Sequence, residues 1–305
     1  MLQNPFGILF GFVYPETVTV LEVIQRSSEF LARKGVESPR LQIELMLAHV
    51  LQMPRLKLYL NFSRVLNEGD LATIRGLVQR RASREPLQHI LGSTSFCGLE
   101  ITVTRDALVP RPETELLAER GWEFLQQREA AGQMDLRALD FGTGSGCLAI
   151  ALAVKVAQAR VSAIEISEAA LKLARENALH HRVAERIHFY EGDGFAALPG
   201  GGQFDLLVSN PPYIARTEIE KLEPEVRDYD PRAALDGGSD GLDFFRRLAV
   251  EAPPFLAPGG RLMLEFGDGQ EKLIQEMLLQ QDWAIDAVEQ DYSKRPRILI
   301  AHRAV

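Results

Sequence analysis

Apolar and polar positions follow one period in the first quarter of the chain and others in the rest. From about residue 17 to 84 the repeat is helical, with Leu21, Ile24, Phe30 and Leu31 recurring at helical intervals. Leu41, Leu45, Ala48 and Leu51 form a second apolar stripe. Before it, Ser38-Pro39 offers an N-cap followed by proline at the first helical position, where the missing N–H is no loss. The turn-like Asn67-Glu68-Gly69 then introduces a third helix over 70–81. No strand candidate occurs here, so residues 1–84 read as a small all-α bundle.

Residues 85–111 change character: Ile101-Thr102-Val103 alternates toward strand, and Gly92 and Gly98 punctuate the segment, which reads as a linking hairpin. From 112 to 305 short apolar runs alternate with helical stretches. Strand candidates are 138–141, 161–165, 187–190, 204–209, 261–266, 285–289 and 298–301. Helices are expected over 148–159, 168–180, 242–250 and 272–281. Such alternation implies an α/β fold, a Rossmann-like, mostly parallel seven-stranded sheet with helices on both faces. The last two strands are joined only by Asp291–Arg297, too short for a crossover helix, so the final strand should run antiparallel.

Composition narrows the chemistry. The hydrophobic fraction of 46% and charged fraction of 25% are those of a globular chain, and the formal net charge is -8. That balance counts against a protein that grips nucleic acid through phosphates. Arg75, Arg80, Arg81 and Arg84 read as a solvated helix face. Two cysteines, Cys97 and Cys147, are too few for a disulfide framework, and Cys147 falls in a buried helical run. The apolar start, residues 1–16, lacks the basic segment and cleavage site of a signal peptide, and no run reaches the ~20 residues of a membrane span. A cytoplasmic, non-membrane protein is expected. No pair of the six histidines has metal-ligand spacing, because adjacent His180 and His181 should face different ways, so no metal is expected.

Asp140-Phe141-Gly142-Thr143-Gly144-Ser145-Gly146 stands between the first strand and first helix of the alternating region. Glycines there permit positive φ and let a ligand approach the backbone, whose N–H groups at a helix start bind anionic groups. Glu165, 19 residues beyond Gly146, ends the next strand, where a carboxylate can accept both hydroxyls of a ribose. Gly-x-Gly-x-Gly departs from the dinucleotide fingerprint and favours S-adenosylmethionine over NAD. Asp193, in the turn 191–194 after the third strand, is placed near the adenine edge, although it could equally be a turn carboxylate, and Gly194 beside it is counted with the cofactor site.

Asn210-Pro211-Pro212-Tyr213 ends the fourth strand, at the carboxyl edge where open α/β sheets bind ligands. The prolines stiffen the backbone and leave carbonyls as acceptors, and Asn210 adds a side-chain carbonyl. Two fixed acceptors suit a planar NH2 group and would aim its nitrogen at a methyl donor. Tyr213 offers an aromatic wall. Asn210, Pro211 and Tyr213 are the expected catalytic residues. Asn210 through Tyr213 is expected to hold the substrate, and Asn210 also borders the cofactor site formed by Gly142, Thr143, Gly144, Ser145, Gly146, Glu165, Asp193 and Gly194.

These residues resemble the family of protein glutamine N5-methyltransferases that act on bacterial peptide chain release factors. The likeness extends to Ser38-Pro39-Arg40-Leu41, to Glu85-Pro86 with Ile90-Leu91-Gly92, and to Asp230-Pro231 with residues 237–242. Its most discriminating stretch is Leu108-Val109-Pro110-Arg111-Pro112-Glu113-Thr114-Glu115, which also reads as a helix start beside the site. The resemblance implies a class I methyltransferase domain over 112–305, S-adenosyl-L-methionine as cofactor, and release factors as partners. It further implies a helical domain that recognises the substrate and a loop over 237–242 that closes on the site. Glu165 stands where aspartate is common, Asp230 where glutamate is usual, and 291–297 lacks a glycine often found there.

The sister family that modifies a ribosomal protein shares the tetrapeptide but usually differs after the first Pro-Arg. An adenine-N6 nucleic-acid methyltransferase could hold its NH2 on the same acceptors, with base extrusion and a basic cleft. A cofactor-binding protein without activity is the remaining alternative. In the resembled family the acceptor is the glutamine of a Gly-Gly-Gln loop. The chain's own Gly201-Gly202-Gln203 reads as a turn feeding the fourth strand, and the match as coincidence.

Overall fold

A computed structural model describes residues 17–200 and 202–304, and these divide into two compact units, one ending at Gly92 and one starting at Ser93. The segment 1–16 and Gly201 of the Gly-Gly-Gln run lie outside the described residues.

The first unit consists of α1 (Val20–Arg33), α2 (Pro39–Val50), α3 (Arg55–Leu58), α4 (Glu68–Ala82) and α5 (Leu87–Leu91). Thr19 and Glu22 form a reciprocal capping box on α1, and Asn67 Oδ1 accepts from the Asp70 N–H to cap α4. Ser38 differs from the expected cap. Its φ of 45° is left-handed and its side chain makes no capping bond, so Pro39 alone sets the start of α2. Ile24, Leu31, Ile43, Leu47, Ile74 and Val78 close the core. The arginine set is not one solvated face: Arg81 is buried and donates to Gln42 Oε1 at 2.6 Å, while Arg84 lies past the end of α4. Helix α5 is too short to have shown a period in the sequence, and Gly92, with φ of 82°, ends it.

In the second unit, β1 (Ser93–Phe96) and β2 (Leu99–Thr102) form a hairpin turned by Cys97 and Gly98, both with positive φ. There follow α6 (Pro112–Ala130), β3 (Arg137–Phe141), α7 (Cys147–Lys155), β4 (Arg160–Glu165), α8 (Glu168–His180), β5 (Ile187–Glu191) and β6 (Phe204–Ser209). Next come α9 (Pro224–Arg227), α10 (Asp243–Glu251), β7 (Leu256–Glu265), α11 (Glu271–Leu279), β8 (Trp283–Gln290) and β9 (Pro296–Arg303). The sheet order is β5-β4-β3-β6-β7-β9-β8, parallel except for β9, which runs antiparallel to both neighbours as expected of the last strand.

Side chains alternate across β3. Ala138 joins the core with α6 and α7, whereas Leu139 and Phe141 join the one with α10 and α11. Leu148, Leu152, Phe245 and Leu248 are among the residues sealing these faces; each such side chain contributes about 1.5–3 kcal/mol on burial. Gly121 lets α6 approach the sheet, since a Cβ there would lie 3.0 Å from Leu152. His180 and His181 do not diverge: their rings meet edge to face, 5.0 Å apart, because His181 lies beyond the last helical residue. The strand order reverses at β3, between β4 and β6. Chain crossing in opposite directions on either side opens a crevice at their carboxyl ends.

Candidate active site

The loop from β3 to α7 builds one wall of that crevice. Gly142 and Gly144 have φ of 76° and 55°, and a Cβ on either would meet nothing within 4 Å. Both line a cavity of about 270 Å³. Gly146 has φ of 84°, and a Cβ there would lie 3.0 Å from Ala174, so this glycine also lets α7 pack closely against α8. Thr143 and Ser145 are buried and border the cavity. Beneath the loop, Asp140 Oδ2 accepts from Thr143 Oγ1 at 2.6 Å and from the Ala149 N–H at 3.1 Å. Burial outweighs these bonds and pushes the Asp140 carboxyl up to about 7.

Glu165, at the end of β4, accepts from the Gly144 N–H at 2.9 Å through Oε2. Its Oε1 accepts from the Ile166 and Ser167 N–H groups, each at 3.0 Å. A carboxylate has about four lone-pair sites, so three are taken and a ribose would share the group with the backbone. Asp193 borders the cavity and is ion-paired to Arg247 of α10, which also donates to the Asp193 carbonyl at 3.0 Å. Gly194 has φ of 66°, in the left-handed region that favours glycine, and a Cβ there would displace that guanidinium. No sequence pattern singles out Arg247, which sits on an ordinary amphipathic helix, 54 residues from its partner.

The opposite wall is the tetrapeptide after β6. Ser209 Oγ donates to the Phe141 carbonyl at 2.6 Å, tying the ends of β6 and β3 together. Asn210 and Pro212 border the first cavity, while Pro211 and Tyr213 line a second of about 300 Å³ with Glu113, Glu265 and Arg297. Asn210 borders both cavities. Its Nδ2 donates to Thr114 Oγ1 at 3.0 Å, and Thr114 Oγ1 donates to Glu265 Oε2 at 2.6 Å. Among the described residues, none donates a hydrogen bond to Asn210 Oδ1 or to the Pro211 carbonyl. Burial, reinforced by Glu265, raises the Tyr213 phenol further above its usual range, so it stays neutral.

Residues 237–241 do not cover the first cavity. A Cβ on Gly237 would lie 2.8 Å from the Pro212 carbonyl, and one on Gly241 would strike that of Tyr213. Gln270 Nε2 donates to the Tyr213 carbonyl at 2.9 Å and to the Gly241 carbonyl at 3.2 Å. The glycines therefore back the tetrapeptide; Pro231, Ala233 and Ala234 line the cavity instead. Asp230 accepts from Arg111 Nη2 at 2.5 Å and joins this excursion to the start of α6.

The family described as PrmC N-terminal domain matches residues 22–92, and that described as methyltransferase small domain matches 120–223. A release factor glutamine methyltransferase of Geobacter sulfurreducens is 48% identical over 85% of this chain and 88% of its own length. One from Chlorobaculum tepidum is 42% identical over 92% and 95%, and one from Streptomyces coelicolor 39% identical over 94% and 99%. The chain belongs to the release factor glutamine methyltransferase family. It is an S-adenosyl-L-methionine-dependent methyltransferase.

The residues fit that cofactor. The open side of Gly142 and Gly144 leaves room beside the backbone, and the Glu165 carboxylate stands at the same wall. Ala107, Leu108, Phe141, Ile166 and Phe244 add the apolar surface an adenine ring requires.

Proposed function

We propose that this chain methylates the side-chain amide nitrogen of the glutamine in the Gly-Gly-Gln loop of peptide chain release factors. The observation that carries the reading is Asn210: it borders both cavities and spends its Nδ2 on Thr114, keeping Oδ1 as an acceptor next to the Pro211 carbonyl. Gly142, Thr143, Gly144, Ser145, Glu165, Asp193 and Gly194 would hold the cofactor, and Asn210 through Tyr213 the substrate amide.

When bound, S-adenosyl-L-methionine supplies an electrophilic methyl group on a sulfonium. An amide nitrogen is a poor nucleophile because its lone pair is delocalised. Asn210 Oδ1 and the Pro211 carbonyl take its two protons as hydrogen bonds, raising electron density at nitrogen as positive charge develops. Tyr213 stays neutral and serves as a wall rather than a base. The cationic N-methylated amide first formed is strongly acidic and loses one proton to water, leaving the neutral methyl amide.

The helical unit is assigned to recognition of the release factor, and the cytoplasm is assigned as the location. Among the described residues no helix is long and apolar enough to cross a membrane. The net charge of -8 favours a protein acceptor over nucleic acid. Incubation with methyl-labelled cofactor and either release factor or nucleic acid tests this: label should enter release factor, and label in nucleic acid alone would overturn the reading.

A further inference from the structure

A side-chain amide has two ends of nearly equal size, and the bonds made by one end decide which the other presents. At Asn210 that choice is made by two buried residues outside the tetrapeptide. Thr114 lies in the first turn of α6 and Glu265 at the end of β7; they are 3% and 1% exposed. An ionised carboxylate can only accept, so Glu265 takes the single hydroxyl hydrogen of Thr114, at the 2.6 Å typical of a charge-assisted bond. With its hydrogen committed, Thr114 Oγ1 can only accept, and it accepts from Asn210 Nδ2.

We propose that Thr114 and Glu265 are positioning residues for the methyl transfer, a Glu265–Thr114–Asn210 relay that fixes Asn210 Oδ1 toward the substrate amide. The proposal rests on the reading that Asn210 holds the substrate NH2. A flipped Asn210 would set NH2 against NH2 and remove one of the two acceptors. The relay also makes orientation depend on charge. A neutral Glu265 becomes a donor to Thr114, whose hydrogen then turns to Asn210 and draws Oδ1 away from the substrate.

The groups facing Glu265 come from several elements: Arg297 on β9, Arg111 and Glu113 at the start of α6, and Tyr213 after β6. Burial dominates over the Thr114 bond and Arg297, holding Glu265 up to about 7. Ionised Glu265 is the orienting form, so activity should be present above that value and fall as pH drops through it.

The full chain, tested with release factor as substrate, decides the matter. Thr114→Val should lower kcat about 10²-fold, the loss typical of a misdirected reacting group. Affinity for S-adenosylhomocysteine should stay close to wild type in the same variant. Its calorimetric affinity for a Gly-Gly-Gln peptide without cofactor should weaken about tenfold, as expected for one lost hydrogen bond. Thr114→Ser keeps the hydroxyl and should restore kcat. Glu265→Gln cannot ionise and should erase the fall in kcat near pH 7. Wild-type kcat and peptide affinity in Thr114→Val would overturn the relay, as would a wild-type acid limb in Glu265→Gln. If Thr114→Val does not fold, the Glu265→Gln profile decides alone. A wild-type chain that methylates no release factor overturns the substrate reading instead, which separates the two failures.

Discussion

Asn210 Nδ2 donates to Thr114 Oγ1 at 3.0 Å across 96 residues of chain. This bond commits the donor end of the amide to the protein and keeps its acceptor end for whatever occupies the site. It follows that removing the side chain should damage chemistry more than cofactor affinity. Asn210→Ala is expected to lower kcat about 10²- to 10³-fold, the loss seen when one preorganised electrostatic partner is removed. Calorimetry with S-adenosylhomocysteine should show nearly unchanged affinity, and full activity would sink the mechanism.

Glu165 should behave in the opposite way. Its carboxylate joins the Gly144, Ile166 and Ser167 N–H groups at the cofactor wall. Hydrogen bonds to a charged group contribute about 1.5–3 kcal/mol, so Glu165→Ala should weaken cofactor affinity about 10- to 100-fold. The direct check is a cofactor titration followed by thermal unfolding. Stabilisation by ligand equal to that of the wild type would contradict the assignment.

Gly241 provides a test of the backing behind the tetrapeptide. Its φ is 80° and a Cβ would strike the Tyr213 carbonyl. Gly241→Ala should cost about 1–3 kcal/mol through backbone strain and displacement. Turnover should fall with it while cofactor binding persists, since neither Gly241 nor Tyr213 lines the first cavity. Denaturant unfolding and kcat measured on the same preparation would show both effects; an unchanged kcat would mean the contact does not shape the site.

Buried Asp140 gives stability a defined pH dependence. Its carboxyl rises from an ordinary 3.8 to about 7 in the fold, chiefly through desolvation. Between those values the folded chain keeps a proton that the unfolded chain has released. The stabilising contribution is therefore complete below the unfolded value and is lost as pH rises through the folded one. Asp140→Asn keeps an acceptor for Thr143 and Ala149 without ionising. Its Tm relative to wild type should climb from about pH 5 to about pH 8. A constant difference would show that Asp140 does not titrate there.

Much of this was legible in the sequence, because local patterns encode local geometry. The alternating runs placed every strand of the large sheet, since buried parallel strands are short, apolar and bounded by turns. Gly142, Gly144, Glu165 and Asn210 stand out in the sequence because each lies at or just past the end of a strand, on one edge of the sheet. The relay through Thr114 and Glu265 was not legible: the two residues stand 151 positions apart and meet only when α6 and β7 pack. Arg247 was hidden for the same reason. Gly237 and Gly241 resembled a mobile cover, but their glycine is dictated by the backbone they touch. Gly146 belongs to the glycine pattern by spacing, and its close approach to Ala174 shows only in the fold.

Mass spectrometry of a purified release factor incubated with the full chain and S-adenosyl-L-methionine tests the account most directly. A gain of about 14 Da, one methyl replacing one hydrogen, should localise to the glutamine of the Gly-Gly-Gln loop and be lost with Asn210→Ala. No gain, or a methyl placed on any other residue, would contradict it.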